Sequence, residues 1–363
     1  KIGLVYYNSD NDKKAIETFR AIVDRYPMTA VSVEAIANAK NIYVDNGDVD
    51  EYITWVEQIG LEVNSTALDS TSYEAAELQY LKGNRDKAIQ SFNAYLNRYE
   101  NGYFVVNAHY YKAECLYKNE SLEEALTSYK LVLDKSRSDF TEKSVKNTAD
   151  IYYQTKRYAD AKNYYIMLDS VAEFAVHKVD AQRGLMNSNY YLEMYEAAIN
   201  EAENLLKIDR LSMADKQAAN SVIARSAYER RQYRKALKGF EWLEKNTEGS
   251  RKAESKYYQA LILHQQSAYE ASQKEVFELA KELPDYKKWL AKAMIVLARD
   301  YWAMGDEFQA SHTLQQLLEN FDDPDILEEA RAFKLQIEAA KAAEKEKLKE
   351  SKVETSNENE NGG

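Results

Sequence analysis

The sequence predicts an all-α chain of about nine helix–turn–helix repeats, closed by one further helix. Three observations carry that prediction. A short pattern recurs: a tyrosine, a Gly or Asn turn, a small residue, then a ring four places on, as in Tyr80, Gly83, Ala88 and Phe92. The interval is also nearly constant. Taking the small residue that opens each second helix as a marker, Ala15, Tyr52, Ala88, Ala125, Ala161, Ala198, Ala236, Ser272 and Ala310 follow at 37, 36, 37, 36, 37, 38, 36 and 38 residues. Finally, 45% hydrophobic residues with only 3 prolines and 11 glycines suit helices joined by short turns. In such an array each repeat buries its apolar face against its neighbours, so 363 residues need not split into separate domains.

The marker register has a packing logic. Residues four apart share a helical face, which puts Ala88 and Phe92 together. Twelve residues before the markers a second small residue recurs: Gly3, Ala76, Ala113, Ala149, Ala224, Ala260 and Ala298. Small side chains at both places let two antiparallel helices approach closely, and larger residues between them fill the groove. Tyr52 is the bulky exception. Gly47 stands five before it, as Gly83 stands before Ala88 and Gly305 before Ala310, and that keeps it in register.

At the N-terminus, Lys1 lies fourteen residues before Ala15, inside what should be a helix. The expectation is a chain cut from a longer protein with further repeats upstream, so the lack of a signal peptide says nothing of localisation. Through the middle, Asp45–Asp48, Asn64-Ser65, Asp69–Ser72, Asn101-Gly102 and Asn246–Ser250 gather at the breaks. Their side chains cap helix N–H groups or tolerate left-handed backbone. No linker rich in Pro, Gly or Ser interrupts, so one array is expected over residues 1–322, with residues 60–72 as the most polar join and the first place for a hinge. Asp323-Pro324 then signals a helix start. Ile326, Leu327, Ala330, Phe333 and Ile337 form one stripe, which predicts a capping helix over 323–345. Residues 346–363 are polar and expected to be disordered.

These features resemble the tetratricopeptide repeat (TPR) family. The resemblance covers residues 1 to about 322 and rests on the small residue of the first helix, the Gly or Asn turn, the Ala-then-ring second helix, and the closing Tyr26-Pro27 and Leu283-Pro284. It implies a right-handed α-α superhelix whose first helices line a concave face. The chain departs from the family in a period longer by about two to four residues, and in lacking most aromatics early in the first helix. The endings Asp24–Pro27 and Asn97–Glu100 resemble a variant of bacterial envelope TPR proteins that act in outer-membrane assembly or beside the Tol–Pal system. That narrower likeness implies a periplasmic setting in association with the outer membrane, with the cytoplasm as the alternative.

No catalytic or cofactor-binding constellation is evident. His109, His177, His264 and His312 fall in different repeats, none with a metal-like spacing. Cys115, the only cysteine, lies where the first helix buries a small residue, so a packed, inert thiol is expected. There is no glycine-rich phosphate loop, and no run of about 20 apolar residues that could span a membrane. The net charge of −12 argues against nucleic acid as the main partner.

What remains is a surface. Eight residues before each marker stand Tyr7, Val44, Tyr80, Tyr117, Tyr153, Tyr190, Tyr228, His264 and Trp302. Two readings stay open for this column. The rings seal neighbouring helices and show only an edge, or they form a ladder of anchors for a peptide. Eleven before the markers, Glu77, Glu114 and Asp150 give way to Arg225 and Arg299; fifteen before lie Tyr73, Tyr110, Lys146, Arg183 and Tyr257. This predicts a groove acidic in its first half and more basic in its second. Lys143, Lys146 and Asn147 resemble part of a carboxylate clamp, but Val222 stands where a polar partner would be needed. The candidate partner-binding residues are Tyr80, Tyr117, Tyr153, Tyr190, Tyr228, Lys146 and Arg183. The expected function is a non-catalytic scaffold for a protein or peptide, in envelope assembly or secretion. The alternative is a regulatory module of a larger enzyme or signalling protein.

Overall fold

A computed structural model describes residues 1–61 and 64–360, and these form nineteen helices with no strand among them. The chain divides into two compact units, Lys1–Gly184 and Leu185–Gly363. The first holds α1 (Ile2–Tyr7) and α2 (Asp12–Arg25), α3 (Ala30–Asn46) and α4 (Val49–Gln58), α5 (Ser65–Leu81) and α6 (Arg85–Arg98), α7 (Val105–Lys118) and α8 (Leu122–Leu133), and α9 (Thr141–Gln154) and α10 (Tyr158–Val171). The division falls inside α11 (Ala175–Tyr191), where no linker marks it. The second unit continues with α12 (Tyr195–Leu206), α13 (Met213–Glu229), α14 (Tyr233–Asn246), α15 (Gly249–Gln265), α16 (Tyr269–Glu282), α17 (Lys287–Ala303), α18 (Glu307–Asn320) and α19 (Pro324–Glu360). Residues 62 and 63 of the expected hinge lie outside the described residues.

The same turn joins the two helices of every repeat. The residue five before each marker has left-handed backbone: Gly47, Gly83 and Gly305, but also Asp10, Glu120, Lys156, Glu193, Arg231 and Ser267, with φ between 55° and 82°. Its N–H donates to the carbonyl eight before the marker, as Lys156 N does to Tyr153 O at 3.0 Å. The next N–H donates to the carbonyl nine before, as Arg157 N does to Tyr152 O at 2.8 Å. This pair of bonds is the Schellman closure, which satisfies carbonyls that a helix end leaves without partners. Only three of the nine turns use glycine, so the other six hold a side chain in a conformation that glycine adopts more cheaply.

All nine markers are buried, as is the residue four beyond each of them. So are the seven small residues twelve before. In the second unit the closeness shows at Gly239, where a Cβ would come within 2.8 Å of Ala224 Cβ. In the first, a Cβ on Gly184 would lie 2.4 Å from three ring carbons of Tyr165. First helices of successive repeats also pack on one another, α3 on α5 and α5 on α7, then α15 on α17 and α17 on α19. Second helices pack mainly on the first helices either side of them. The capping helix begins as expected: Ile326 N donates to the Asp323 carboxylate at 3.4 Å, and Ile326, Ala330 and Ile337 seal the last repeat against Leu314 and Leu317. The helix runs on through Glu360, into the polar segment expected to be disordered. Residues 361–363 of that segment lie outside the described residues.

Two substitutions test this geometry. Lys156→Gly should stabilise the fold, because left-handed strain of about 1–2 kcal/mol outweighs a glycine entropy cost of about 0.5–1 kcal/mol. A lowered denaturation midpoint would contradict the left-handed turn. Gly184→Ala should instead destabilise, although helix propensity alone favours alanine by about 1 kcal/mol. An unchanged or raised midpoint would mean that the Tyr165 ring does not lie against α11.

Candidate functional site

Each residue of the ring column is half-buried, from Tyr7, Tyr80, Tyr117 and Tyr153 in the first unit to Tyr190, Tyr228, His264 and Trp302 in the second. The column coincides with the carbonyl that the left-handed residue closes upon, so each ring rises from the last turn of a first helix. Packing accounts for one face of it. Tyr153 lies 5.5 Å from Tyr158, Tyr190 6.2 Å from Tyr195, Tyr228 6.2 Å from Tyr233 and His264 5.7 Å from Tyr269, ring centre to ring centre. The second ring of each pair stands five places on, at the start of the second helix, and the two clasp the turn. That regular second ring was a readable signal in the sequence. In the earlier repeats the contact reaches the next repeat: Tyr7 Oη donates to Asp45 at 2.9 Å, Tyr80 lies 4.7 Å from Tyr111, and Gln154 Nε2 donates to Tyr117 Oη at 3.1 Å.

The acidic residues eleven before the markers do not make an open acidic groove. Glu114 accepts from the buried Tyr129 hydroxyl, and Asn147 Nδ2 donates to the same carboxylate and to Tyr129 Oη, both at 2.8 Å. In the next repeat Asp150 accepts from the buried Tyr165 hydroxyl at 2.8 Å and from Lys146 Nζ at 2.6 Å. Glu77 accepts from Tyr73 Oη at 2.6 Å. Burial, and then the neighbouring carboxylate, push the Tyr129 and Tyr165 phenols well above their usual range. A buried hydroxyl needs a partner, and a carboxylate on the adjoining helix is a strong one.

The basic candidates are likewise engaged. Lys146 is ion-paired with Asp150, and Arg183 Nη1 lies 3.1 Å from Asp180. In the second unit Arg225 pairs with Glu254 at 2.5 Å and Arg299 with Glu329 at 2.9 Å. Tyr73 and Tyr110, expected along the groove, are buried instead. They stack on Phe104 and Phe140 of the following repeat, each at 4.4 Å, because a flat ring fills the space between successive first helices.

Cys115 is buried, and loss of water raises its thiol to about 11, as a packed cysteine should be. His177 Nδ1 is 2.6 Å from Glu142 and His264 Nδ1 is 2.7 Å from Asp300. No group of three or more His, Cys, Asp and Glu among the described residues could hold a metal ion, and no described helix is long and apolar enough to cross a membrane. The second unit carries an open cleft of about 470 Å³ that sequence reasoning did not assemble. His264, Tyr269, Arg299 and Trp302 meet Glu329 and Phe333 of α19 there. In the sequence, Phe333 shows only as part of the capping stripe.

Comparison with known proteins bears on the family. Two tetratricopeptide repeat models match, one at residues 72–140 and 222–287 and the other at residues 1–27. The tetratricopeptide repeat is the family these matches support. Among solved structures, the C-terminal part of a TPR repeat-containing protein from Cytophaga hutchinsonii is 15% identical, with 70% of this chain and 97% of that one covered and a TM-score of 0.52. A tetratricopeptide repeat protein from Parabacteroides merdae is also 15% identical, with 74% and 98% covered and a TM-score of 0.42. The first likeness shows the TPR-like fold. No curated protein matches the chain. Repeats of this family serve as interaction scaffolds, and that is the class of function the matches support.

His109 gives a test of the site's surroundings. Burial, then Lys112 and Lys135, lower this imidazole to about 4, and its Nδ1 has no partner. The unfolded chain binds this proton more readily than the folded one, so the contribution is complete above the unfolded value near 6.5 and is lost as pH falls from there towards 4. Denaturation midpoints of the wild type should drop between pH 7 and pH 4.5 by more than those of His109→Gln. Equal drops would show that His109 titrates normally.

Proposed function

We propose that the chain is a non-catalytic scaffold that holds a protein or peptide on the first-helix faces of its repeats. The observation that carries this reading is the half-burial of the ring column: each ring residue is partly covered by the fold and partly exposed. A rigid ring with a polar tip offers contact area at little entropic cost, and rings already held in place cost less again to order. Tyr80, Tyr117 and Tyr153 offer such edges in the first unit, and Tyr190 and Tyr228 in the second. Lys146 and Arg183 would act there as hydrogen-bond donors whose charge is already compensated, not as free cations. Packing and binding are therefore not exclusive at this column.

An envelope setting, periplasmic and outer-membrane-associated, is proposed with it, supported by the Asp24–Pro27 and Asn97–Glu100 endings. Fractionation of cells that make the full-length protein checks this, and recovery in the cytosol would refute it.

The scaffold reading is tested in the first unit alone. Tyr117→Ala with Tyr153→Ala should weaken a captured partner by about 2–4 kcal/mol, the range of hot-spot truncations, while helical circular dichroism is retained. The control is Gln90→Ala with Thr127→Ala, two exposed second-helix positions. Lys130 would be a poor control, since its ammonium sits 5.2 Å from the Tyr152 ring centre. Equal, small effects of both double variants would leave the rings as packing only.

A further inference from the structure

In the second unit, Lys292 of α17 is set against aromatic rings. Its ammonium lies 5.5 Å from the centre of the Trp289 ring and 5.9 Å from that of Tyr257, whose rings are 5.6 Å apart. Its neighbours in the fold are thus aromatic, and among the described residues no carboxylate pairs with it; the same holds for the exposed Lys288 one turn earlier. By contrast, the buried Lys256 of α15 has three carboxylates within 3.5 Å. Lys292 and Arg299 are seven residues apart on α17 and so share a face, with Ala303 one turn further. Arg299 and Glu329 are both close enough to Tyr257 to act on its phenol through their charge. The stripe ends in the cleft lined by Trp302, Tyr269, His264 and Phe333.

We propose that this face of α17 is a docking site for an acidic, extended segment of a partner protein, one carboxylate meeting Lys292, a second meeting Arg299, and an apolar side chain entering the Trp302–Phe333 cleft. The inference rests on the scaffold reading above and names the chemistry of the partner for the second unit. Charge complementarity carries it. A chain of net charge −12 leaves Lys288 and Lys292 uncompensated on one stripe, in a setting of rings where a carboxylate is partly desolvated and a charge-assisted hydrogen bond is worth more.

Spacing narrows the occupant. Seven helical residues rise about 10 Å. A polyproline-type segment presents residues i and i+3 on one side at about 9 Å, so two acids separated by two residues fit the two cations. Glu329 is the internal competitor, because it holds Arg299 at 2.9 Å. A nucleic acid would also meet rings and cations, but the negative field of the whole chain opposes a polyanion.

The test uses the whole protein and a fluorescein-labelled peptide, Gly-Phe-Glu-Pro-Pro-Glu-Gly, read by anisotropy at low salt. The control peptide carries glutamine in place of both glutamates, and a thymidine oligonucleotide of similar length probes the polyanion alternative. The acidic peptide should bind more tightly than its glutamine counterpart. Lys292→Gln should weaken it about three-fold, and Glu329→Gln, which frees Arg299, should tighten it by a similar factor, the scale of an exposed ion pair. The opposite directions separate recognition from loss of fold. Equal binding of both peptides, no effect of either variant, or tighter binding of the oligonucleotide would overturn the proposal. Since Tyr117 and Tyr153 lie in the first unit, failure here leaves the scaffold reading to its own test.

Discussion

Two helices lie as close as those in each repeat only where the side chains at their contact are very small. That steric condition is met at eight of the nine buried markers, Tyr52 being the exception, and at the small residue twelve before seven of them. It has a consequence for the backbone between them. The chain must reverse in a few residues, and it does so through one left-handed residue whose flanking N–H groups reach back to two carbonyls of the helix just ended. Where that residue is Glu120, Lys156, Glu193 or Arg231, the strain is carried by the packing on either side. Tight packing here supports a locally unfavourable turn, and the turn in turn holds the two helices in contact.

The ring eight before the marker inherits its place from this turn. It projects from the residue whose carbonyl the turn closes upon, so it is partly committed to structure wherever a ring stands there, Val44 being the exception. The rest of it is left at the surface as a by-product of the same geometry. On the scaffold reading proposed above, rings already held in this way would not need ordering when a partner arrives, which lowers one of the main costs of association.

Charge is arranged differently in the two units. In the first, Glu114 of α7 and Asp150 of α9 are directed inward to the hydroxyls of Tyr129 and Tyr165, and Lys146 compensates Asp150. In the second, Lys256 is buried among Glu244, Glu275 and Glu278, with Lys274 3.8 Å from Glu278, a costly arrangement unless each group is well bonded. Lys292, by contrast, is met by rings and not by acids. On α17, then, one cation faces rings while another, Arg299, faces the Glu329 carboxylate.

Much of the fold was legible in the sequence because close helix contact selects residue type directly. Only Gly, Ala or Ser fit at most of the markers, so their spacing reveals the period, and Asp323-Pro324 announces the last helix through backbone chemistry alone. The left-handed turns were legible only at Gly47, Gly83 and Gly305, since Glu120 or Lys156 carries no sign of the conformation imposed on it. The candidate site was legible as a column of rings and not as a surface. A periodic position shows which residues share a face of one helix, whereas the partner of a charge lies on another helix. Glu114 faces the Tyr129 hydroxyl fifteen residues on, and Arg299 faces Glu329 thirty residues on. Which acids are spent inside the fold, and which cations remain open, was therefore decided by the tertiary structure, because electrostatic pairing depends on distance in space and not on distance along the chain.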